Sequence, residues 1–319
     1  MALRRLQQLE KGLLRQPEKA DKYQKIIDGY LDQGFARRLP EEELLKYHPR
    51  RWYLPHHGVT NPHKPGKLRL VFDAAASSQG TSLNSELLVG PDMLLSLPGV
   101  LLRFREEAVA IVGDIEKMYH QVRVIPDDQP ALSFFWRNLD LTKPPDAYNM
   151  TVTIFGARCS PASANYVLCK TAMDHQEDTV ISRKAATAVQ RNVYMDDLLR
   201  TEKTVADAIA LRSEVTKLVS RGGFRLTKWR SNSEEVVLDV PEEERAGMDG
   251  PTENVLGCPW NSVEDTLGVR CVEVETSQHI TKRRVVAIVA RLFDPMGLVA
   301  PYSLQAKLLV QRLWAQGLG

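Results

Sequence analysis

Tyr194-Met195-Asp196-Asp197 is the stretch on which the reading of this chain turns. Arg191-Asn192-Val193 leads in and Leu198-Leu199-Arg200 leads out, so it reads as two short strands with a pair of carboxylates at the turn between them. Adjacent Asp side chains repel each other and suit a sheet poorly, so something must offset both effects. A divalent cation does so directly, because Mg²⁺ takes hard carboxylate oxygens and keeps positions open for phosphate. An exposed hairpin turn is the plainer alternative, since Asp is a common turn residue. Four residues alone leave both readings standing.

The 319 residues are 43% hydrophobic and 26% charged, an ordinary globular composition with room for one large domain or two to three subdomains sharing a core. No apolar run approaches the roughly 18 residues needed to span a bilayer. Met1 to Arg15 lacks the apolar core and small-residue cleavage site of a secretory leader. The four cysteines, Cys159, Cys169, Cys258 and Cys271, are scattered without Cys-x-x-Cys spacing, which suits reduced thiols in an intracellular protein better than a disulfide framework or a zinc site. Net charge is +2, yet residues 1–72 hold fifteen Lys and Arg against eight Asp and Glu, and an acid-rich stretch from Glu234 to Asp249 partly offsets them. A basic front end suits contact with a polyanion. Charge alone favours the simpler alternative, a solvated face.

Helical spacing at Leu3, Leu6, Leu9 and Leu13, and at Tyr23, Ile26, Ile27, Tyr30 and Leu31, predicts two helices before residue 40. Pro and Gly punctuate residues 51–73, where Lys67-Leu68-Arg69-Leu70-Val71-Phe72-Asp73 reads as a half-exposed strand. Residues 74–90 read as a loop, and Pro91–Glu107 as a helix interrupted at Pro98-Gly99. Ala108 to Asp114 reads as a buried strand, and Leu132–Trp136 and Tyr148–Phe155 as a strand pair. Helices are expected at Ser160–His175 and Val205–Arg221, strand pieces at Phe224–Trp229, Val255–Trp260 and Leu267–Val274, and two helices at Thr281–Phe293 and Tyr302–Trp314. Strict β-α alternation is missing, so the expected class is α+β.

Asp114 closes an apolar strand and opens Ile115-Glu116-Lys117-Met118-Tyr119-His120-Gln121-Val122. A lone Asp at a strand end is most often a helix cap. A strand-end Asp beside a two-Asp hairpin would instead converge three carboxylates, the donor set of a two-metal site.

Six segments in order resemble the reverse transcriptases of the BEL/Pao group of LTR retrotransposons. They are Lys67 to Asp73; Gly113-Asp114 through Tyr119-His120-Gln121-Val122; Phe155-Gly156-Ala157-Arg158-Cys159-Ser160-Pro161-Ala162; Tyr194-Met195-Asp196-Asp197; Gly223-Phe224-Arg225-Leu226 with Lys228; and Leu256-Gly257-Cys258-Pro259-Trp260. The N-terminal helices and Leu292-Phe293-Asp294-Pro295-Met296-Gly297-Leu298 are similar to the Pao group in particular, and the likeness runs from about Leu13 to Trp314.

The resemblance implies a right-hand polymerase. Residues 1–50 form a helical extension; 51–107 the fingers with the palm entry; 108–275 the palm, with a fingers insertion at about 125–155 and the primer-grip hairpin; and 276–319 a truncated, thumb-like pair of helices. Asp114, Asp196 and Asp197 become the catalytic metal ligands, joined by the Ile115 carbonyl, for two Mg²⁺ ions or Mn²⁺. Lys67 and Arg69 would grip the incoming triphosphate, where an Arg fork matches phosphate oxygens. Tyr119 would stack under the sugar and exclude a 2′-hydroxyl. Gly156 and Ser160-Pro161 would support the nascent base pair and template, with Phe155 where retroviral enzymes carry Gln. Lys228 would lie near the pyrophosphate leaving group, a role open also to Arg225 or Arg230. Tyr194 and Met195 would meet the primer and template, and Leu256, Gly257 and Trp260 the primer 3′ end, although Trp260 also suits plain core packing.

An RNA template, a DNA primer and dNTPs follow as partners. Protease, RNase H and integrase are expected elsewhere in a longer polyprotein, because no Asp-Thr/Ser-Gly loop, RNase H carboxylate set or integrase His/Cys cluster is found. The expected location is the cytoplasm, within virus-like particles. The competing expectation is a truncated or co-opted fragment that binds nucleic acid without catalysis. Tyr119 disfavours an RNA-dependent RNA polymerase, and the missing loop disfavours a peptidase.

Overall fold

The N-terminal periodicity becomes two helices, α1 (Ala2–Leu13) and α2 (Pro17–Asp32), with Leu6, Leu13, Tyr23, Ile27 and Tyr30 on their buried faces. Pro17 opens α2 where its missing N–H is no loss. The computed structural model describes residues 1–61, 64–178, 181–247, 252–270 and 281–316, with the side chains of residues 61–67 outside that description. In chain order there follow β1 (Ala36–Arg38), α3 (Glu41–Leu45), β2 (His56–Asn61), β3 (Lys64–Phe72), α4 (Leu83–Glu86), α5 (Leu97–Arg103) and β4 (Val109–Ile115). Next come β5 (Ser133–Trp136), β6 (Asp146–Met150), α6 (Ser160–Asp174), α7 (Arg183–Asn192), β7 (Val193–Tyr194), β8 (Asp197–Glu202) and α8 (Val205–Arg221). The last elements are β9 (Leu226–Ser231), β10 (Thr252–Val255), β11 (Cys258–Asn261), β12 (Thr266–Leu267), α9 (Lys282–Arg291) and α10 (Ala300–Ala315). The ladders joining these strands are antiparallel in a mixed α/β chain.

The chain divides into two units. The first gathers residues 1–93, 117–171 and 222–224. It carries the sheet β1-β6-β5 and the hairpin β2-β3, with Ala36 paired to Met150. Its core is aromatic: Tyr23 stacks on Trp136 at 5.2 Å, and Phe72 meets Phe134 edge-on at 5.3 Å. His56 sits among them, its Nε2–H donating to the Phe135 carbonyl at 2.9 Å while Nδ1 accepts from the Tyr23 hydroxyl. Glu10 on α1 is only 1% exposed, and Arg137 meets it with two parallel bonds of 2.8 and 2.6 Å. Such a forked pair satisfies a carboxylate that would otherwise be costly to bury. Several cations of the basic front end are likewise paired: Arg5 with Asp73, Arg37 with Glu43, Arg38 with Asp146 and Arg50 with Asp128.

The second unit gathers residues 94–116, 172–221 and 225–319, within the described ranges. Its sheet runs β7-β8-β4-β9, and α8 packs on β4 and β8 while α5 packs on β7 and β8. Val100, Leu101 and Phe104 of α5 share a core with Ala110, Leu199 and Trp260, where Phe104 meets Trp260 edge-on at 5.2 Å. A small sheet, β10-β11-β12, carries Trp260.

Several elements differ from the sequence reading. Pro98-Gly99 does not interrupt a long helix but begins a short one, because Ser96 caps α5 by accepting from the Gly99 N–H and Pro98 fills its first turn. Arg191-Asn192 ends helix α7, so the strand entering the carboxylate turn is only Val193-Tyr194. The loop 74–90 contains one helical turn, α4, closed by a reciprocal Ser82–Ser85 capping box. Strand β6 ends at Met150, short of the expected Phe155. The strand expected over Leu267–Val274 is present as far as β12, and residues 271–274, with Cys271, lie outside the described residues. Among the described residues no helix is long and apolar enough to cross a membrane.

Candidate active site

Strand β4 lies between β8 and β9, and its register sets Asp114 opposite Asp197. Ala110 and Val112 contribute to the α5 core, and the period of two carries Asp114 onto that same face, beyond the apolar contacts. Leu199 and Asp197 repeat the relation on β8. Cross-strand partners stand with their side chains adjacent, so two carboxylates meet at the end of the sheet. Asp196 is tied in through its backbone, whose carbonyl accepts the Ile115 N–H at 2.7 Å. Met195 takes a φ of 55° and Asp196 does not share that sign, the pattern of a two-residue II′ hairpin. A methionine held in that left-handed region is locally strained, and such strain persists only where the surroundings impose it.

Lys228 completes the group. Its Nζ donates to Asp114 Oδ1 at 2.6 Å. Opposite the β4 pair Val112 and Asp114, strand β9 places Arg230 and Thr227, so Lys228 and Trp229 together face the single residue Gly113. That is a β-bulge, and Lys228 holds its left-handed position with φ 53°. Gly113 lies close under it, since a Cβ there would stand 3.0 Å from the buried Trp229 ring and would push the ring aside by a few tenths of an ångström. Of the three basic residues considered for this role, Arg225 is paired with Glu244 and Glu116, Arg230 with Glu253, and Lys228 with Asp114.

In donor chemistry the carboxylates fit a hard divalent cation, and the Lys228 ammonium already supplies positive charge at one of their oxygens. Among the described residues, however, no three His, Cys, Asp or Glu groups converge in a geometry that could hold an ion.

The second unit also carries the hairpin expected at the primer end. Leu256 and Gly257 turn β10 into β11 with φ of 48° and 87°, the two positive values of a type I′ turn. A Cβ on Gly257 would lie 2.7 Å from the Phe293 ring. Trp260 is fully buried, and its indole N–H donates to Asp265 Oδ1 at 3.0 Å.

The remaining expected residues lie in the first unit. Arg69 is on β3 opposite Val59, and the Lys67 side chain lies outside the described residues. Tyr119 packs its ring on Phe155 with centroids 4.7 Å apart. Its neighbour His120 is 4% exposed and enclosed by Tyr30, Phe35 and Phe155. Gly156, with φ 116°, lies against β3, and Ser160 Oγ donates to the Ile154 carbonyl at 2.7 Å, which fixes the entry of α6 at Pro161. A cavity of about 780 Å³, lined in part by Arg51, Trp52, Val122, Ile154 and Ser160, has no counterpart in the sequence patterns because its wall comes from four separate segments.

Residues 281–319, expected to be thumb-like helices, match a family described as the Pao retrotransposon-like RNaseH-like domain. No curated protein sequence matches the chain. Among solved structures, that of the foamy viral protease-reverse transcriptase in complex with double-stranded DNA aligns with a TM-score of 0.55 and 17% identity, covering 84% of this chain and 39% of that one. The same viral protein in complex with an RNA/DNA hybrid aligns with a TM-score of 0.54 and 15% identity, covering 86% and 30%. The chain thus spans well under half the length of either. At these identities the likeness is one of fold: a mixed α/β chain resembling retroviral polymerase structures.

Proposed function

We propose that this chain is the reverse-transcriptase segment of a BEL/Pao-type retrotransposon polyprotein, built as fingers, palm and the start of a thumb. It would extend a DNA primer on an RNA template with dNTPs. The observation that carries this reading is the pairing of Asp114 with Asp197 beside the strained Met195-Asp196 turn. The likeness in fold to a viral reverse transcriptase and the retrotransposon family matched at the C-terminus support it.

Asp114, Asp196 and Asp197, with the Ile115 carbonyl, would hold two Mg²⁺ ions. When bound, such ions lower the pKa of an attacking hydroxyl and neutralise charge on a triphosphate. Arg69 would grip the triphosphate, and Tyr119, stiffened by Phe155, would reject a 2′-hydroxyl.

Primer extension on an RNA template, in Mg²⁺ and then Mn²⁺, tests the proposal. Wild-type extension is expected, with a loss of at least about 100-fold in Asp196→Asn, since a metal-holding carboxylate acts in the reaction itself. No extension, with duplex binding retained, would favour the nucleic-acid-binding fragment instead.

Binding should be directed at the phosphate backbone, with little sequence preference. Affinity for a primer–template duplex is expected to fall about 10-fold or more between 50 and 200 mM salt. A flat response would count against a phosphate-directed cleft.

A further inference from the structure

We infer that Lys228 is a built-in counter-cation for the carboxylate site, which a divalent ion must displace from Asp114 in order to bind. The inference rests on the metal reading proposed above and adds to it a residue that sets the ion concentration at which the site fills.

The geometry sets the two cations in competition for one carboxylate. Lys228 Nζ stands 2.6 Å from Asp114 Oδ1, and a Mg²⁺ ligated by that oxygen would sit at about 2.0–2.1 Å. Both together would place an ammonium and a divalent ion on one oxygen, where their repulsion is strong. The ammonium must therefore swing away as the metal arrives.

The placement is built into the backbone. Lys228 occupies the left-handed position of a bulge, a conformation that a β-carbon disfavours and that glycine would adopt freely. Trp229, the second residue of the bulge and 2% exposed, packs over Gly113 on the opposite strand and so holds the bulge in place. Bulges beside active sites re-aim side chains, and this one aims an ammonium at the strand-end carboxylate. The residue type also matters. An ammonium is a compact, strongly hydrated point charge on a flexible stem, whereas a guanidinium would take both carboxylate oxygens as a fork and release them less readily.

Mn²⁺ binding to the metal-free chain, read by electron paramagnetic resonance of the free ion, tests the inference without relying on turnover. Lys228→Gln should bind Mn²⁺ about 3- to 10-fold tighter than wild type, because one competing positive charge is gone. Lys228→Arg should bind it more weakly than wild type. Lys228→Gly should match the Gln variant in affinity while melting at a higher temperature, because it also removes the left-handed side-chain strain. Asp114→Asn should lose the binding.

Equal or weaker Mn²⁺ binding in Lys228→Gln, with Asp114→Asn still losing it, would overturn the counter-cation and leave the metal site standing. No Mn²⁺ binding in wild type or Lys228→Gln would overturn the metal site and the counter-cation with it.

Discussion

Alanine at Gly156 is expected to leave the first unit unfolded or barely stable. A Cβ there would lie 1.9 Å from the carbonyl oxygen of Phe72, a backbone atom that cannot rotate aside. The φ of +116° adds a second penalty, since residues with a β-carbon are rarely found there. Neither is relieved locally. The Phe72 amide donates to the Phe155 carbonyl at 3.1 Å, and the Gly156 carbonyl accepts from Asn84 Nδ2 at 3.0 Å. The Arg158 amide donates in turn to Asn84 Oδ1 at 2.9 Å. Moving the loop away breaks all three bonds and shifts the entry to α6, so the destabilisation should exceed about 4 kcal/mol, with a Tm lower by on the order of 10 °C. Gly12→Ala is the matched control. It lies in α1 with nothing within 4 Å of a new Cβ, and should be neutral or stabilising by up to about 1 kcal/mol. Equal melting of the Gly156 variant and wild type, followed by circular dichroism, would rule out this close approach.

The second large effect is loss of stability in mild acid. Burial lowers the imidazoles of both His56 and His120 to about 4. In the unfolded chain both should titrate near 6.5. Between about pH 6.5 and 4 the unfolded state therefore binds two protons that the native state refuses. Their contribution is complete above pH 6.5, falls as pH drops and levels off below 4. Each histidine accounts for about 3 kcal/mol in full and about 2 kcal/mol of it between pH 7 and 5. Urea midpoints of the first unit should fall accordingly between those values. His120→Phe should flatten part of the slope, because a phenyl ring keeps the packing on Tyr30, Phe35 and Phe155 and removes a buried Nδ1 that has no hydrogen-bond partner among the described residues. A profile unchanged from pH 7 to 5 would sink the assignment.

What could be read from the sequence was what short windows determine. An apolar strand ending in Asp114, a carboxylate pair after Tyr194-Met195 and the helical stripes of α1, α2 and α8 depend on neighbours within a few residues. The strand register that sets Asp114 against Asp197 depends on the whole sheet, so the pairing was an expectation and its geometry was not. Helix α7 went unread because its buried face is mostly alanine, at Ala185, Ala186 and Ala188, which carries little apolar signal. The aim of Lys228 was hidden for another reason. It follows from a bulge set by Trp229 lying over Gly113, and no local pattern announces a contact across strands. His56 and Glu10 carry no local mark of burial, and each is a buried polar group whose partner is distant in sequence.

The pairing of β1 with β6 has a consequence for synthesis. Ala36–Arg38 leaves the ribosome roughly a hundred residues before Tyr148–Met150, its partner segment. At about 5–20 residues per second that is a wait of about 5–20 s, far longer than helix formation takes. During that interval α1 and α2 can pack on each other and on the hairpin β2-β3, while the part of α1 that meets β5 waits uncovered for the later strands to emerge.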